Sequence, residues 1–300
     1  MSNDRIVLLD GYGHIYRSFY GVRELNNARG EPTNALFALS RFLLRFDQDF
    51  PHRYGAFVLD KGRPAKRMAA LPTYKANRPP MPDDLRRQLA PIRDWVQAAG
   101  WAILEEEGRE ADDLIAAVVE ARESHETLIV SQDKDLAQLV RPGVSLVLPG
   151  KKGEYDVLGE PGVREKFGIA PTAMVDYQML VGDTSDNVPG VPGVGAKTAV
   201  KLLTEFGSVE ALLANVDAIR NPAVREKIRV SAELLARNRQ LVALDAQLPA
   251  GWTGVEALRR RSPDWDRLLA MARDNGFNSM VGTLEKARQD ARSPSLFSLQ

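Results

Sequence analysis

Residues 6–10 read Ile-Val-Leu-Leu-Asp, and residues 54–60 read Tyr-Gly-Ala-Phe-Val-Leu-Asp. Each is a short apolar run that stops on an aspartate. Runs of this length without polar alternation fit strands buried on both faces, as in a parallel sheet. Residues 101–107, 127–132 and 144–148 are three further candidates. Helical patterns lie between them. Leu36, Leu39, Leu43 and Phe46 share one face, as do Leu85, Leu89, Ile92 and Val96, and Leu114, Ile115 and Val118 mark a third helix. Strand alternating with helix predicts an α/β fold: a mostly parallel central sheet flanked by helices.

Past about residue 170 the strand signal ends. Helices are expected over 172–181, 196–206, 209–213, 222–237 and 263–275. Asn221 before Pro222 and Ser262 before Pro263 each pair a capping residue with a proline at the first helical position. The expected organisation is an α/β domain over 1–181, a smaller all-helical domain over 182–290, and a flexible tail over 291–300.

With 44% hydrophobic residues in 300, the chain can bury a substantial core. It has no cysteine, which excludes disulfides and thiolate metal sites and fits a reducing compartment. His14, His52 and His125 lie far apart and show no zinc-ligand spacing. Asp4 and Arg5 interrupt any secretory signal, and no apolar stretch is long enough to span a bilayer, so a cytoplasmic location is expected. The net charge of +0 argues mildly against a general nucleic-acid binder. Its distribution argues the other way. Residues 61–87 carry Lys61, Arg63, Lys66, Arg67, Lys75, Arg78, Arg86 and Arg87 against only Asp83 and Asp84. A charge run is by default a solvated loop. A loop this long inside a compact domain is more often functional or disordered.

The acidic residues are placed at strand ends. Asp10 and Asp60 close two candidate strands; a third runs into Glu110-Ala111-Asp112-Asp113, and a fourth into Asp133-Lys134-Asp135. Gly182-Asp183-Thr184-Ser185-Asp186-Asn187 adds two more, which share a face if the segment is a helical turn. Ligands of open α/β sheets bind at the carboxyl ends of the strands. One acid at a helix start is more often a cap than a ligand. The functional signal is the coincidence of several, with no basic residue regularly paired to them. Crowded carboxylates raise one another's pKa, and divalent cations relieve that repulsion. All-oxygen donors favour Mg²⁺, or Mn²⁺ in its place. Two such ions about 4 Å apart suit phosphodiester hydrolysis.

Five segments together carry a resemblance: IVLLDG at 6–11, TYKANRPPMPDDLR at 73–86, GREADD at 108–113, SQDKDLAQLV at 131–140 and GDTSDNVPGVPGVGAKTA at 182–199. In this order they are similar to the 5′–3′ exonuclease domain of bacterial DNA polymerase I and to the wider flap endonuclease family. The resemblance runs from about residue 6 to about residue 248. It implies a metal-dependent hydrolase that cuts DNA bearing a 5′ flap or 5′ end at a duplex junction, bacterial and nucleoid-associated, with a DNA polymerase acting in trans as a conceivable partner. It implies that Asp10, Asp60, Glu110 and Asp112 surround one metal ion and Asp133, Asp135 and Asp186 a second, with Asp113 and Asp183 nearby. It implies that 61–87 forms an arch over a single 5′ strand, in which Tyr74 stacks on a base and Lys75 and Arg78 contact the scissile phosphate as catalytic groups. Two segments depart from the family pattern. Tyr12-Gly13-His14 stands where small polar residues are usual, and Ala65-Lys66-Arg67 where a Thr-Phe-Arg run is common.

Residues 190–199 form a glycine loop ahead of an amphipathic helix. By resemblance this is a helix–hairpin–helix element gripping duplex backbone through Gly193, Gly195 and Lys197. It is not a nucleotide-binding P-loop, because Lys197 and Thr198 follow the wrong glycine spacing. Arg259-Arg260-Arg261 is a second basic candidate. The chief rival reading is a junction-binding DNA protein with weak catalysis. An RNA-cutting relative would lack the glycine hairpin, and a phosphatase would have no use for the arch. Without a polymerase domain, the chain is expected to be either a stand-alone nuclease or an excised domain.

Overall fold

A computed structural model describes residues 4–150 and 154–292. In chain order its elements are β1 (Arg5–Asp10), α1 (Gly11–Gly21), α2 (Asn34–Asp49), β2 (Tyr54–Val58), α3 (Ala65–Ala70), α4 (Asp83–Ala98), β3 (Ala102–Leu104) and α5 (Ala111–Glu120). Then come β4 (Glu126–Val130), β5 (Val144–Pro149), β6 (Tyr155–Leu158), α6 (Glu160–Phe167) and α7 (Met174–Val181). The two-residue strands β7 (Gly182–Asp183) and β8 (Val188–Pro189) follow, and the rest is helical: α8 (Ala196–Phe206), α9 (Val209–Ala214), α10 (Pro222–Val230), α11 (Ala232–Val242), α12 (Trp265–Asp274) and α13 (Asn278–Arg292). Among the described residues, β1, β2 and β3 pair parallel, as do β4 and β5, and β6 is the antiparallel member. No helix among those residues is long and apolar enough to cross a membrane. From residue 293 on, the expected tail lies outside the described residues.

The chain divides into two compact units. The first comprises 1–59, 81–104 and 253–300. Its strands run parallel in the order β3-β2-β1, with Leu8 opposite Ala56 and Phe57 opposite Ile103. Ile6 to Leu9 are fully buried, as an unalternating apolar run requires. One buried polar residue organises the helices. Gln88 of α4 is 1% exposed, and its Oε1 accepts the N–H groups of Ala35 (2.9 Å) and Leu36 (3.1 Å) at the open start of α2. Arg260 anchors the returning segment. It lies 4.3 Å over the Trp101 ring, forks onto Asp47 (2.9 and 3.0 Å) and donates to His52 Nε2 at 2.7 Å. Arg259 pairs with Glu256, three residues before it. Arg260 is therefore a structural cation, whereas Arg259 stays exposed beside Glu256. The cap of α12 also differs from expectation. Asp264, not Ser262, accepts from Arg267 N at 3.0 Å, so the helix starts two residues later than the proline implied.

The second unit comprises 60–80 and 105–252. Here β4 pairs parallel with β5, and β5 pairs antiparallel with β6. The expected helix over 222–237 breaks at Ser231, which is 5% exposed, into α10 and α11. The cap of α10 is the expected one: Asn221 accepts from Ala223 N (2.9 Å) and Val224 N (3.2 Å). The segment 182–187 is not a helical turn. β7 and β8 form a tight antiparallel pair, and a β-carbon on Gly182 or Gly190 would collide with the other's backbone. Buried Asn238 of α11 ties this hairpin down by donating to Pro189 O (2.7 Å) and Met179 O (3.1 Å).

Candidate active site

The carboxylates of the second unit arrive on four supports. Asp60 follows β2 by two residues and accepts the first N–H of α5, from Ala111, at 2.6 Å. Glu110 stands at the N-cap position of that helix, and Asp112 and Asp113 fill its first turn, where acidic side chains oppose the helix dipole. Past β4, Asp133 caps a 3₁₀ turn over Lys134–Leu139 by accepting from Asp135 N at 2.9 Å. Between β7 and β8, Asp183 Oδ1 accepts from Ser185 N (2.7 Å) and Ser185 Oγ (2.6 Å), which folds the loop so that Asp186 is 9% exposed.

Cations lie between these acids, contrary to the expectation that none would be regularly paired with them. The Lys75 ammonium contacts Glu110 and lies 3.7 Å from Asp186; Arg78 pairs with Asp186 at 2.5 Å. Lys134 pairs with Asp183 at 2.9 Å. Arg67, which sequence reasoning left in a solvated run, is 6% exposed. Its guanidinium forks onto Asp113 (2.7 and 2.8 Å), contacts Glu110 and donates to Leu241 O at 2.9 Å. The available signal was that Arg67 is the one residue its segment shares with the family's Thr-Phe-Arg run. Burial alone would lower the pKa values of Lys75, Lys134 and Arg67, but the carboxylates beside them outweigh it and raise all three.

The segment expected as an arch is ordered at its base. It contains the short helix α3, and its second half is stitched to the Asp183–Asn187 loop by Lys75 N to Asp186 O (2.9 Å), Asn77 to Thr184 O (2.7 Å) and Asn187 to Thr73 O (2.8 Å). Lys75 holds a left-handed backbone, φ 56°, to make this contact. Tyr74 is 6% exposed, and its hydroxyl donates to Asp186 at 2.9 Å. Burial first, then Glu110 and Asp186, push its pKa up, so the hydroxyl stays protonated as a donor.

Asp135 is crowded by other acids. Burial, then Asp133 and Asp183, push its pKa up to about 8. Gln178, fully buried, donates to it, and the amide oxygen of Gln178 has no hydrogen-bond partner. Among the described residues no three acidic or histidine side chains are drawn into metal-ligating geometry. The donor set nevertheless suits hard divalent cations: it is all oxygen, and side-chain ammonium groups stand where positive charge is favoured. Asp10 lies in the first unit, at the end of β1, where it caps α1 by accepting from Gly13 N at 3.0 Å. A β-carbon at position 13 would strike that carboxylate, which explains the glycine in Tyr12-Gly13-His14.

The glycine loop sits between β8 and α8. Gly193 has φ 75°, a conformation that itself calls for glycine. Gly195 has φ −91°, and nothing lies within 4 Å of where its β-carbon would stand. The fold leaves room for a side chain there. Lys197 is exposed in the first turn of α8.

Parallel strands that end in acids, a helical region carrying a glycine hairpin, and an oxygen-only cluster define a nuclease-type architecture. The chain belongs to the 5′–3′ exonuclease family: residues 5–168 match its N-terminal resolvase-like domain and residues 169–266 its C-terminal SAM fold. Among curated relatives, the thermostable DNA polymerase I of Thermus aquaticus is 38% identical over 97% of this chain and 35% of its own length. DNA polymerase I of Pseudomonas aeruginosa is 37% identical over 97% of this chain and 32% of its own length. The chain thus spans about one third of the length of these relatives. Solved structures share the fold. T5 5′-exonuclease with divalent metal ions (zinc) bound superposes at TM-score 0.68, 19% identity, over 94% of this chain and 98% of that one. A bacteriophage T5 flap endonuclease solved with DNA and metal ions gives TM-score 0.64 at 20% identity, over 94% of this chain and 98% of that one. The catalytic core of Rad2 with a DNA substrate gives 0.63 at 15% identity, over 94% of this chain and 93% of that one.

Proposed function

We propose that this chain is a magnesium-dependent 5′ nuclease that hydrolyses DNA at single-strand/double-strand junctions, as an exonuclease and a flap endonuclease, in replication and repair in the bacterial cytoplasm. The observation that carries it is a convergence of acids: Asp60, Glu110, Asp113, Asp133, Asp135, Asp183 and Asp186 crowd around Arg67, Lys75, Arg78 and Lys134, and burial together with Asp133 and Asp183 pushes the Asp135 carboxyl up to about 8. Two Mg²⁺ ions, or Mn²⁺ in their place, would relieve that crowding. Asp10, Asp60, Glu110 and Asp112 would hold one; Asp133, Asp135 and Asp186 the other. Asp113 and Asp183 stand behind them, a role supported by their pairing with Arg67 and Lys134.

Bound there, the ions would supply Lewis acidity for an in-line displacement at phosphorus. The chain's own groups do the rest. Lys75 and Arg78, exchanged from Glu110 and Asp186 onto a substrate phosphate, donate to its non-bridging oxygens, where charge grows in the transition state. Tyr74 fixes the orientation of Asp186 and acts as a positioning residue. Gly193, Gly195 and Lys197 grip the duplex backbone within a helical region over 182–290. A second reading, a junction-binding protein with little catalysis, is favoured by the extent to which cations already occupy the acids. One assay separates the two: a labelled 5′-flap duplex incubated with protein in Mg²⁺ or in chelator. Metal-dependent release of the flap is expected; tight binding without release in any divalent ion would select the second reading.

A further inference from the structure

We propose that a basic cleft between α8 and α10 forms a second phosphodiester-binding site, which extends the duplex grip beyond the glycine hairpin. The proposal rests on the nuclease reading above. The cleft encloses about 300 Å³. Its walls carry Lys197 and Lys201 from α8 and Arg220 from the turn before α10; Glu205 is the one acid lining it. Lys227 continues the row along α10 to the hairpin itself, since a β-carbon at Gly193 would run into its ammonium. The cleft and the hairpin are thus joined by one line of positive charge.

Pairing within α10 sets these residues apart from their neighbours. Arg229 is engaged by Asp217 (2.5 Å) and Glu226 (2.9 Å), and Arg225 is spent on Ile219 O (2.7 and 2.9 Å). Lys201, Arg220 and Lys227 are exposed and have no ion-pair or hydrogen-bond partner among the described residues. Unpaired cations facing one another across a cleft repel, and a polyanion relieves that repulsion. The first N–H groups of α10 are already taken by Asn221, so the attraction comes from side chains, with the positive end of the helix dipole behind them.

The floor identifies the kind of ligand. It is apolar, made of Leu202, Ile219 and Val224, and no aromatic ring lines the cleft. Bases therefore find nothing to stack on, whereas a deoxyribose fits the floor and its phosphates reach the rim. The occupant is the sugar–phosphate backbone of the duplex, bound without regard to sequence.

The test is equilibrium binding of the full chain to a 5′-flap duplex in Ca²⁺ at several salt concentrations. The variants are Lys201→Ala/Arg220→Ala, Lys227→Ala and, for the hairpin, Gly195→Val. Removing two phosphate contacts should lower the slope of log K against log salt by about two, and one contact by about one. The loss should be the same on unrelated duplex sequences and absent on single-stranded DNA of equal length. Thermal melting of each variant should match wild type, since all four residues are exposed. Unchanged slopes for both lysine/arginine variants, with Gly195→Val weakened, would overturn the cleft and leave the hairpin grip standing. Unchanged binding in all three would sink the duplex-grip reading as well. An equal loss on single strands would also refute the proposal, by reducing the cleft to a general anion surface.

Discussion

A guanidinium at 6% exposure persists only if its counter-charges are buried with it, and Arg67 has Asp113 and Glu110 at 7% and 6% side-chain exposure. Removing it strands two carboxylates. Arg67→Met should therefore cost about 3–5 kcal/mol in urea unfolding at neutral pH. Arg67→Lys should cost less, because charge is kept and only the fork is lost. A loss below about 1 kcal/mol for the methionine variant would show that the acids find other partners. In composition and periodicity nothing separates Arg67 from Lys66, whose side chain is 82% exposed. Only its match to the family's Thr-Phe-Arg run marks it, because the tertiary contacts with Leu241 and Asp113 have no local signature. Lys75 and Arg78 were expected to act on the phosphate; their resting partners Glu110 and Asp186 had no signal in the sequence. If they act on the reacting phosphate, Lys75→Ala and Arg78→Ala should lower kcat more than they raise KM in steady-state flap cleavage. A pure KM effect would reduce them to backbone contacts. His52 belongs to a different kind of site. Burial, then the Arg260 charge, lowers its pKa to about 4; Nδ1 lies 2.7 Å from Phe50 O and Nε2 receives Arg260. The native state thus binds fewer protons than the unfolded chain. The stability from neutral His52 is present above about pH 6.5 and is lost as pH falls towards 4, roughly 3 kcal/mol in all. Between pH 7 and pH 4.5 wild type should lose more stability than His52→Gln by most of that amount. Parallel curves would contradict the assignment.

At the scale of elements, the parallel strands were readable because burial on both faces leaves an unbroken apolar run, and Ile6 to Leu9 are such a run. β6 was not, because its four residues include exposed Asp156 and Val157 and carry no pattern a strand must have. α3 was hidden by the same charge run that hid Arg67. The spacing of Asp183 and Asp186 would allow a helical turn at 182–187; the backbone contact of Gly182 with Gly190 closes a hairpin instead. The glycine loop illustrates how two glycines differ in role. Gly193 is required by its φ of 75°, whereas Gly195 stands in open space at φ −91°. Valine at 195 should thus leave the fold intact and act on the ligand alone. Gly195→Val and Lys197→Ala are expected to raise Kd for junction DNA in Ca²⁺, with the lysine variant lowering the salt slope by about one. Cleavage at saturating DNA should be largely kept. Wild-type binding in both would make the loop a plain helix connector.

For the whole molecule, a net charge of +0 conceals a separation that the sequence hinted at only in part. The acidic motifs at 110–113, 133–135 and 183–186 were visible, as was the basic stretch at 61–87. Their interpenetration was not, because it depends on residues more than a hundred positions apart, such as Arg78 and Asp186. The result is a cluster in which four side-chain cations stand among seven acids, and in which burial and neighbouring acids still push the Asp135 carboxyl up to about 8. Crowding buried acids is costly. On this account the crowding is kept for divalent ions that take part in hydrolysis. The most direct measurement is cleavage of a 5′-labelled flap duplex by wild type and Asp133→Asn, each in millimolar Mg²⁺ and in excess chelator. The account predicts flap release by wild type in Mg²⁺ only, and a rate lower by several orders of magnitude in Asp133→Asn, whose fold and DNA binding in Ca²⁺ are retained. Equal cleavage by both proteins, or cleavage that persists in chelator, would contradict it.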